Sequence, residues 1–536
     1  MHSDKPDPAS GFFSPAHNAR MTYAVVWFKR DLRTRDHAPL AEAARAGPVL
    51  CLYILEPSLW RQPDAAAQHL GFLTESLRDL AADLRALGGR LALAVGEADE
   101  VLARLHARAP FHSLWSHQET GNGHTFARDC RVARWCRERG VAWHEARQHG
   151  VVRGLPERRQ WVRQWEALVA APQSHPPLLT PAAVAMEPVA WPTPAALGLD
   201  PHDPPMRQRG GRALGVALLD DFLTTRSARY RGGISSPLSA PDACSRLSAH
   251  LAFGTLSLRE VVQATRARMD DPALAGTRQH AGLGAFLSRL HWHCHFIQKL
   301  ETEPAIERHN MHRGYDGLRE ASAEPAHLDA LIAGRTGWPM VDACVAMLRE
   351  TGWLNFRMRA MLVSVAAYPL WLHWRPVGEW LARQFLDYEP GIHWSQLQMQ
   401  SGTTGINTTR VYNPIKQARD HDPAGRFVRQ WLPALRRVPD TWLFEPWRMP
   451  PDVQARAGVR VGDDIPAPLV DLEVALRAAK QRVHGLRARA DVQAGQDDIV
   501  RRHGSRHRAA EQLAGPRQQR RAATASRQAS FDFDAP

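Results

Sequence analysis

Over residues 23–145 short apolar runs alternate with longer stretches whose apolar residues return every third or fourth position. The runs 23–28, 48–55, 90–95, 112–115 and 141–145 have the length of buried strands. The first is followed by the charged loop Lys29-Arg30-Asp31-Leu32-Arg33. Asp36 predicts the cap of a helix with Pro39 in its first turn, which Gly47 ends. Residues 65–87 predict a long amphipathic helix closed by Gly88-Gly89, and 99–108 and 124–139 predict two more. This alternation predicts an α/β Rossmann-like domain with a parallel five-stranded sheet, which takes ligands at the carboxyl ends of its strands. No G-x-G-x-x-G follows any of these strands, so the pattern gives no support for a dinucleotide there.

The pattern then changes. Pro172, Pro176, Pro177, Pro181, Pro188, Pro192, Pro194, Pro201, Pro204 and Pro205 rule out regular structure over 171–205, which reads as a long connection. From residue 214 onward the period is helical: 214–226, 256–269, 281–301, 327–333, 340–350, 354–374, 377–386 and 425–435. After about residue 488 the chain is rich in Arg, Gln and Ala, without an apolar face, and ends Phe531-Asp532-Phe533-Asp534. The expected organisation is a disordered lead over 1–21, the α/β domain over 22–150, a linker over 151–213, an all-α domain over 214–475 and a basic, largely disordered tail over 476–536. The lead lacks the apolar stretch of a secretory signal.

Composition narrows the class. A length of 536 residues suits two or three domains. No apolar run approaches the roughly 20 residues that span a bilayer, so a cytoplasmic monomer without a membrane partner is expected. The net charge of +13, from 68 Lys and Arg against 55 Asp and Glu, points to a polyanionic partner or to a basic tail alone. Cysteines 51, 130, 136, 244, 294 and 344 include no C-x-x-C pair, which argues against disulfides and zinc. His291 and His295 share a helical face but lack a third ligand, so no metal is expected. Trp161 and Trp165 form an i,i+4 pair best explained as packing of the linker against a domain.

Four motifs stand in order in the second half: Gly337-Trp338-Pro339-x-Val341-Asp342-Ala343, Gly352-Trp353-x-x-x-Arg357-x-Arg359, Asp387-Tyr388-Glu389, and Tyr412-Asn413-Pro414 with Arg429-x-Trp431-Leu432-Pro433. Together they resemble the flavin-binding core of the photolyase/cryptochrome family. The resemblance implies an N-terminal antenna domain, able to carry a folate or deazaflavin chromophore, joined to a helical domain that holds a U-shaped FAD. It implies that Arg359 and Asp387 pair beside the flavin ring, where a cation stabilises negative charge. Tyr230 and Cys244-Ser245-Arg246-Leu247-Ser248 resemble the segment that cradles the cofactor's phosphates, with Cys244 where a hydroxyl residue is usual. By the same resemblance Tyr388 and Glu389 belong to the cofactor loop, with Glu389 on the adenosine side. Phe286 lines the cofactor pocket and His393 faces flavin N5, with Trp394 beside it.

The chain also departs from the repair enzymes. Arg289 stands where a glutamate contacts the flipped lesion, although Trp292 keeps the nearby aromatic. Phe356 replaces an asparagine, Arg357 is kept, and Ala360 replaces a methionine. A guanidinium recognises different groups from a carboxylate, so an altered lesion preference is expected. Leu397 falls at the flavin-proximal tryptophan and Met399 at a second, lesion-facing one, whereas Trp374 matches the middle of the usual electron relay. Electrons must then enter through another aromatic: Trp394, Trp353 or Trp371. The expected activity is blue-light repair of pyrimidine photoproducts in DNA, with Arg289, Trp292, Phe356, Arg357 and Met399 facing the nucleic acid. The alternatives are a cryptochrome-type photoreceptor without repair activity, its tail meeting a signalling partner, and a non-photochemical flavin electron-transfer or DNA-binding protein.

Overall fold

The computed structural model describes residues 23–155, 157–321, 324–406 and 410–504. Five strands, β1 (Ala24–Phe28), β2 (Val49–Leu55), β3 (Leu91–Val95), β4 (Ser113–His117) and β5 (Ala142–Ala146), stand in the order β3-β2-β1-β4-β5 with every pair parallel. β1 and β2 are buried at every residue, as strands covered by helices on both faces must be. α1 (Ala38–Ala46) and α2 (Ala67–Ala86) pack on Ala24, Val26 and Phe28. α3 (Ala98–Arg108) and α4 (Gly123–Arg139) pack on the alternate residues Val25 and Trp27. From β1 the chain winds outward first to β3 and then, on the other side, to β5. The topological switch point, where such sheets open a crevice, therefore lies between β1 and β4.

One cap differs from expectation. His37, not Asp36, begins α1, its Nδ1 accepting from the Leu40 N–H at 3.1 Å. Asp36 sits in left-handed backbone at φ 50° and reaches the helical half, accepting from the Ser257 hydroxyl at 2.6 Å and the Arg259 guanidinium at 2.9 Å. Nearby, Asp31 accepts from His37 Nε2 at 3.0 Å and His117 Nδ1 at 2.7 Å. Among the described residues these three form the group close enough to hold a metal, but they already satisfy one another.

The proline-rich stretch is irregular apart from a short turn at Ala195–Leu197, yet it is not loose. Leu179, Leu197 and Leu199 are buried in the core of the α1–α2 face, and Pro181 bridges to Val49. α5 (Trp161–Ala170) follows the sheet and places its two tryptophans edge-on to His291, at ring distances of 4.8 and 5.1 Å.

The remainder is helical, as the period predicts. α6 (Leu258–Met269), α7 (Arg278–Thr302), α8 (Pro339–Thr351), α9 (Phe356–Ala367), α10 (Trp374–Gln384) and α11 (Pro390–Ser401) carry the second half's core. The single helix expected over 354–374 is broken. Pro369 lacks an N–H and its ring opposes the carbonyl four residues back, so α9 ends at Ala367. Trp371 takes left-handed backbone at φ 53°, and His373 caps a new helix whose first turn accepts Pro376. Trp374 therefore starts α10 rather than ending α9.

The tail departs further. α12 (Leu472–Arg487) and α13 (Gln496–His503) are packed helices, with Leu476, Ala479 and Val483 in the main core and Ile499 and Val500 against Leu300, Ile306 and Met311. The expected boundary at 475/476 falls inside α12. The expected disordered lead, like residues 505–536 with Phe531 and Phe533, lies outside the described residues. Among the described residues no helix is long and apolar enough to cross a membrane. The backbones of the two halves touch at one point. Gly254, at φ +66°, leaves no room for a Cβ, which would stand 2.1 Å from the Arg30 carbonyl oxygen and 2.6 Å from Asp31 Cα.

Candidate functional site

α7, α9, α10, α11 and the turn before α11 line an open-mouthed cavity of about 780 Å³. Phe356, Val363, Leu381 and Leu397 give it apolar walls suited to a planar ring. On one side Arg359 Nη2 donates to Asp387 Oδ2 at 3.0 Å, while Arg359 Nε donates to the Leu354 carbonyl at 2.6 Å. The guanidinium lies 4.0 Å from the Phe385 ring centre, which fixes its plane. Burial pushes the Asp387 carboxyl up. Arg359, the Ser248 hydroxyl and Arg246 together outweigh burial and hold it below the usual range, so the carboxylate is charged.

Several cavity polar atoms are left to a ligand. Asp387 Oδ1, Gln396 Oε1 and both amide atoms of Gln400 are buried without a hydrogen-bond partner. Such orphaned groups cost free energy until something pairs with them, and a flavin's ring edge carries both donors and acceptors. His393 Nε2 lies 2.9 Å from the Gly378 carbonyl, which can only accept, so Nε2 holds the proton and Nδ1 a lone pair. Burial lowers its pKa to about 4, so the ring is neutral.

The predicted phosphate cradle adjoins this cavity. Ser248 lines it and starts the short helix Ser248–Ala252. Arg246, in left-handed backbone at φ 61°, stacks its guanidinium 3.8 Å from the Trp353 ring. Leu247 is buried, and Arg226 Nη2 donates to the Ser245 carbonyl at 3.3 Å. Burial pushes the Cys244 thiol up to about 11, which keeps it protonated. Tyr388 and Glu389 line the cavity, and Glu389 Oε2 meets Arg30 Nη2 of the sheet domain at 3.4 Å.

Not every expected residue arrives. Phe286 packs on Tyr230 and Phe222 at 5.8 and 4.7 Å and is not among the cavity walls. It lies two turns from His293, about 10 Å along α7. Arg289 lies against the Tyr230 hydroxyl. Trp292, half-buried, packs edge-on to His295 at 4.7 Å. Met399 and Arg357 are 3% and 5% exposed. Both turn inward from the cavity face that holds Phe356, Arg359 and Leu397, so neither presents a surface to DNA. Trp394 sits 4.9 Å from His393 and 5.9 Å from Trp374, whose Nε1 donates to Asn310 at 2.7 Å. His293, Gln396 and Gln400 were not foreseen as cavity residues. The two glutamines, four apart on a buried helix, are the signal that could have found them.

A second cavity, of about 880 Å³, opens at the switch point, at the carboxyl ends of β1 and β2 and the loop after β4. Trp27, Tyr53, Trp60 and Phe253 form its aromatic walls. Lys29 and Arg128 face Glu56, Glu119 and Asp129 there, and Lys29 Nζ is buried without a hydrogen-bond acceptor, 3.5 Å from Asp129.

The architecture and the first cavity define a two-domain flavoprotein in which an α/β domain rests on a helical FAD-binding domain. A family profile described as the FAD binding domain of DNA photolyase matches residues 286–485, and one described as DNA photolyase matches residues 24–156. A deoxyribodipyrimidine photo-lyase of Streptomyces griseus is 31% identical over 491 residues, 87% of this chain and 100% of its own. A cryptochrome DASH of Gloeobacter violaceus is 29% identical over 473 residues, 84% of this chain and 93% of its own. The crystal structure of the Synechocystis sp. PCC6803 cryptochrome superposes with a TM-score of 0.77 at 22% identity, over 86% of this chain and 99% of that one. This chain belongs to the photolyase/cryptochrome family, and its cofactor is FAD.

Proposed function

We propose that this protein is a blue-light-dependent enzyme that binds DNA and reverses pyrimidine photoproducts, a carbon–carbon lyase of the deoxyribodipyrimidine photolyase type. The observation that carries this reading is a shared cavity. Phe356, expected to face the nucleic acid, and Ala360, which stands where the resemblance places a methionine beside the lesion, line the same space as Arg359, Asp387 and His393. A base flipped from the duplex would lie there against the cofactor, and a damaged base is the cheapest to extrude.

Bound FAD, reduced and excited by blue light, supplies the electron that splits the bond between the two bases. The chain's own residues bind and tune. Arg359 would hold positive charge against the ring, and Asp387 fixes the guanidinium. His393 offers a neutral lone pair at Nδ1, and by the family resemblance Ser245, Arg246 and Ser248 would receive the phosphates. Trp394 and Trp374, 5.9 Å apart, offer one aromatic route for electrons, Trp394 standing in for the leucine at 397. The second cavity, aromatic and edged with the paired charges of Lys29, Arg128, Glu56 and Glu119, is the place for an antenna chromophore of the folate or deazaflavin kind.

Purified protein is incubated under blue light with oligonucleotides carrying one cyclobutane dimer or one (6-4) photoproduct. Restored bases in either, absent in the dark, support the proposal. Intact light-driven flavin reduction with no repair of either lesion favours the photoreceptor reading, for which Arg289 in place of the lesion-binding carboxylate already speaks. Solvent extraction and chromatography of the native protein identify any antenna.

A further inference from the structure

Tyr388 is the wall between the two cavities, lining both. On the helical side its ring meets His393 edge-on at 5.1 Å, and on the sheet side it lies 6.2 Å from His69 at an interplanar angle of 24°. Its backbone is pinned from across the domain boundary, Arg30 Nη2 donating to the Tyr388 carbonyl at 2.8 Å. Its hydroxyl donates to Asp64 Oδ2 at 2.7 Å, and that same oxygen accepts from Asn122 Nδ2 at 3.0 Å. A redox-competent ring at the flavin cavity thus has a carboxylate base on its proton.

We propose that Tyr388 and Asp64 form a proton-coupled electron donor to the flavin of the helical cavity. The inference rests on FAD occupying that cavity. One electron leaves the phenol for the light-excited oxidised flavin, the oxidant. The phenolic O–H breaks and its proton passes to Asp64 Oδ2, leaving a neutral phenoxyl ring beside a neutral carboxyl group. Reversal returns both particles. Burial, with the negative charges of Asp64 and Glu307, holds the resting phenol protonated, so proton and electron must leave together.

The competing donor is less well placed. Trp394 Nε1 is buried without an acceptor, so an oxidised indole there must keep its proton and its charge. The Arg375 guanidinium, 4.9 Å from that ring, opposes the charge. Tyr388 loses its proton to a partner already in hydrogen-bond contact.

The test is flash excitation of the flavin-loaded protein with the flavin oxidised, read by transient absorption and by electron paramagnetic resonance with ring-deuterated tyrosine. A neutral tyrosyl radical is expected in the wild type and in Trp394→Phe, and not in Tyr388→Phe. Asp64→Asn, which keeps the ring, is expected to slow its formation by about 100-fold, the lower end of what a positioned base contributes. The wild type should also slow in heavy water, a readout that needs no variant. A tyrosyl radical unchanged in Tyr388→Phe, a wild type yielding only tryptophan radicals, or a rate indifferent to both Asp64→Asn and heavy water would overturn the proposal. A protein that takes up no flavin is recognised beforehand by its absorption spectrum, and refutes the cavity assignment itself.

Discussion

Gly378 is glycine because Trp394 occupies the place of its side chain. A Cβ there would stand 2.5 Å from Trp394 Cζ3 and 2.6 Å from Leu397 Cδ1. Gly378→Val should push Trp394 off His393, cost about 2 kcal/mol by overpacking, and slow flavin photoreduction, followed by the bleaching of the oxidised flavin bands. Arg359→Met would leave the buried Asp387 carboxylate without its hydrogen-bonded guanidinium. A loss of about 3 kcal/mol is expected, read by urea unfolding of the flavin-stripped protein, with weaker FAD uptake in the same variant. Arg359 and Asp387 could be read from the sequence because their pairing depends only on two motif positions. Met399 and Arg357 could not, because whether they face ligand or core depends on a helix's rotation about its axis.

At the level of elements, strands and helices followed from periodicity wherever one face is buried. They failed where the signal was a break or a weak stripe. Pro369 marks the end of α9 plainly, yet the apolar residues on both sides of it continue the helical period and hide the stop. The last helices misled for the opposite reason. Their stripe of Leu476, Ala479, Val483, Val492, Ile499 and Val500 is sparse among Arg, Gln and Ala, so composition suggested a solvated tail. Removing residues 489–536 should uncover Leu300, Ile306 and Met311 and cost about 3 kcal/mol, mostly the burial of Ile499 and Val500. A lower melting temperature in differential scanning calorimetry would register it, with flavin content unchanged.

Across the whole molecule, buried imidazoles set the acid limit. Burial lowers His250, His293 and His393 from 6.5 to about 4, and His117 to about 3. The unfolded chain therefore binds more protons than the native one as these groups titrate. The stability they contribute is complete above pH 6.5 and is lost as the pH falls from there towards 4. Urea midpoints measured against pH should drop across that window. Removing FAD should leave the drop for His117 and His250, which lie away from its cavity.

The contact at Gly254 constrains the two halves as a pair. The backbone of the helical half rests directly on the loop after β1, with no side chain between to trim or lengthen. Asp36 with Arg259 and Arg30 with Glu389 lock the same seam by charge. Chimeras joining this sheet domain to a relative's flavin domain should then assemble only when that domain carries counterparts of Gly254, Arg259 and Glu389, and a library of such hybrids would sort on those few positions before any difference in light chemistry could emerge.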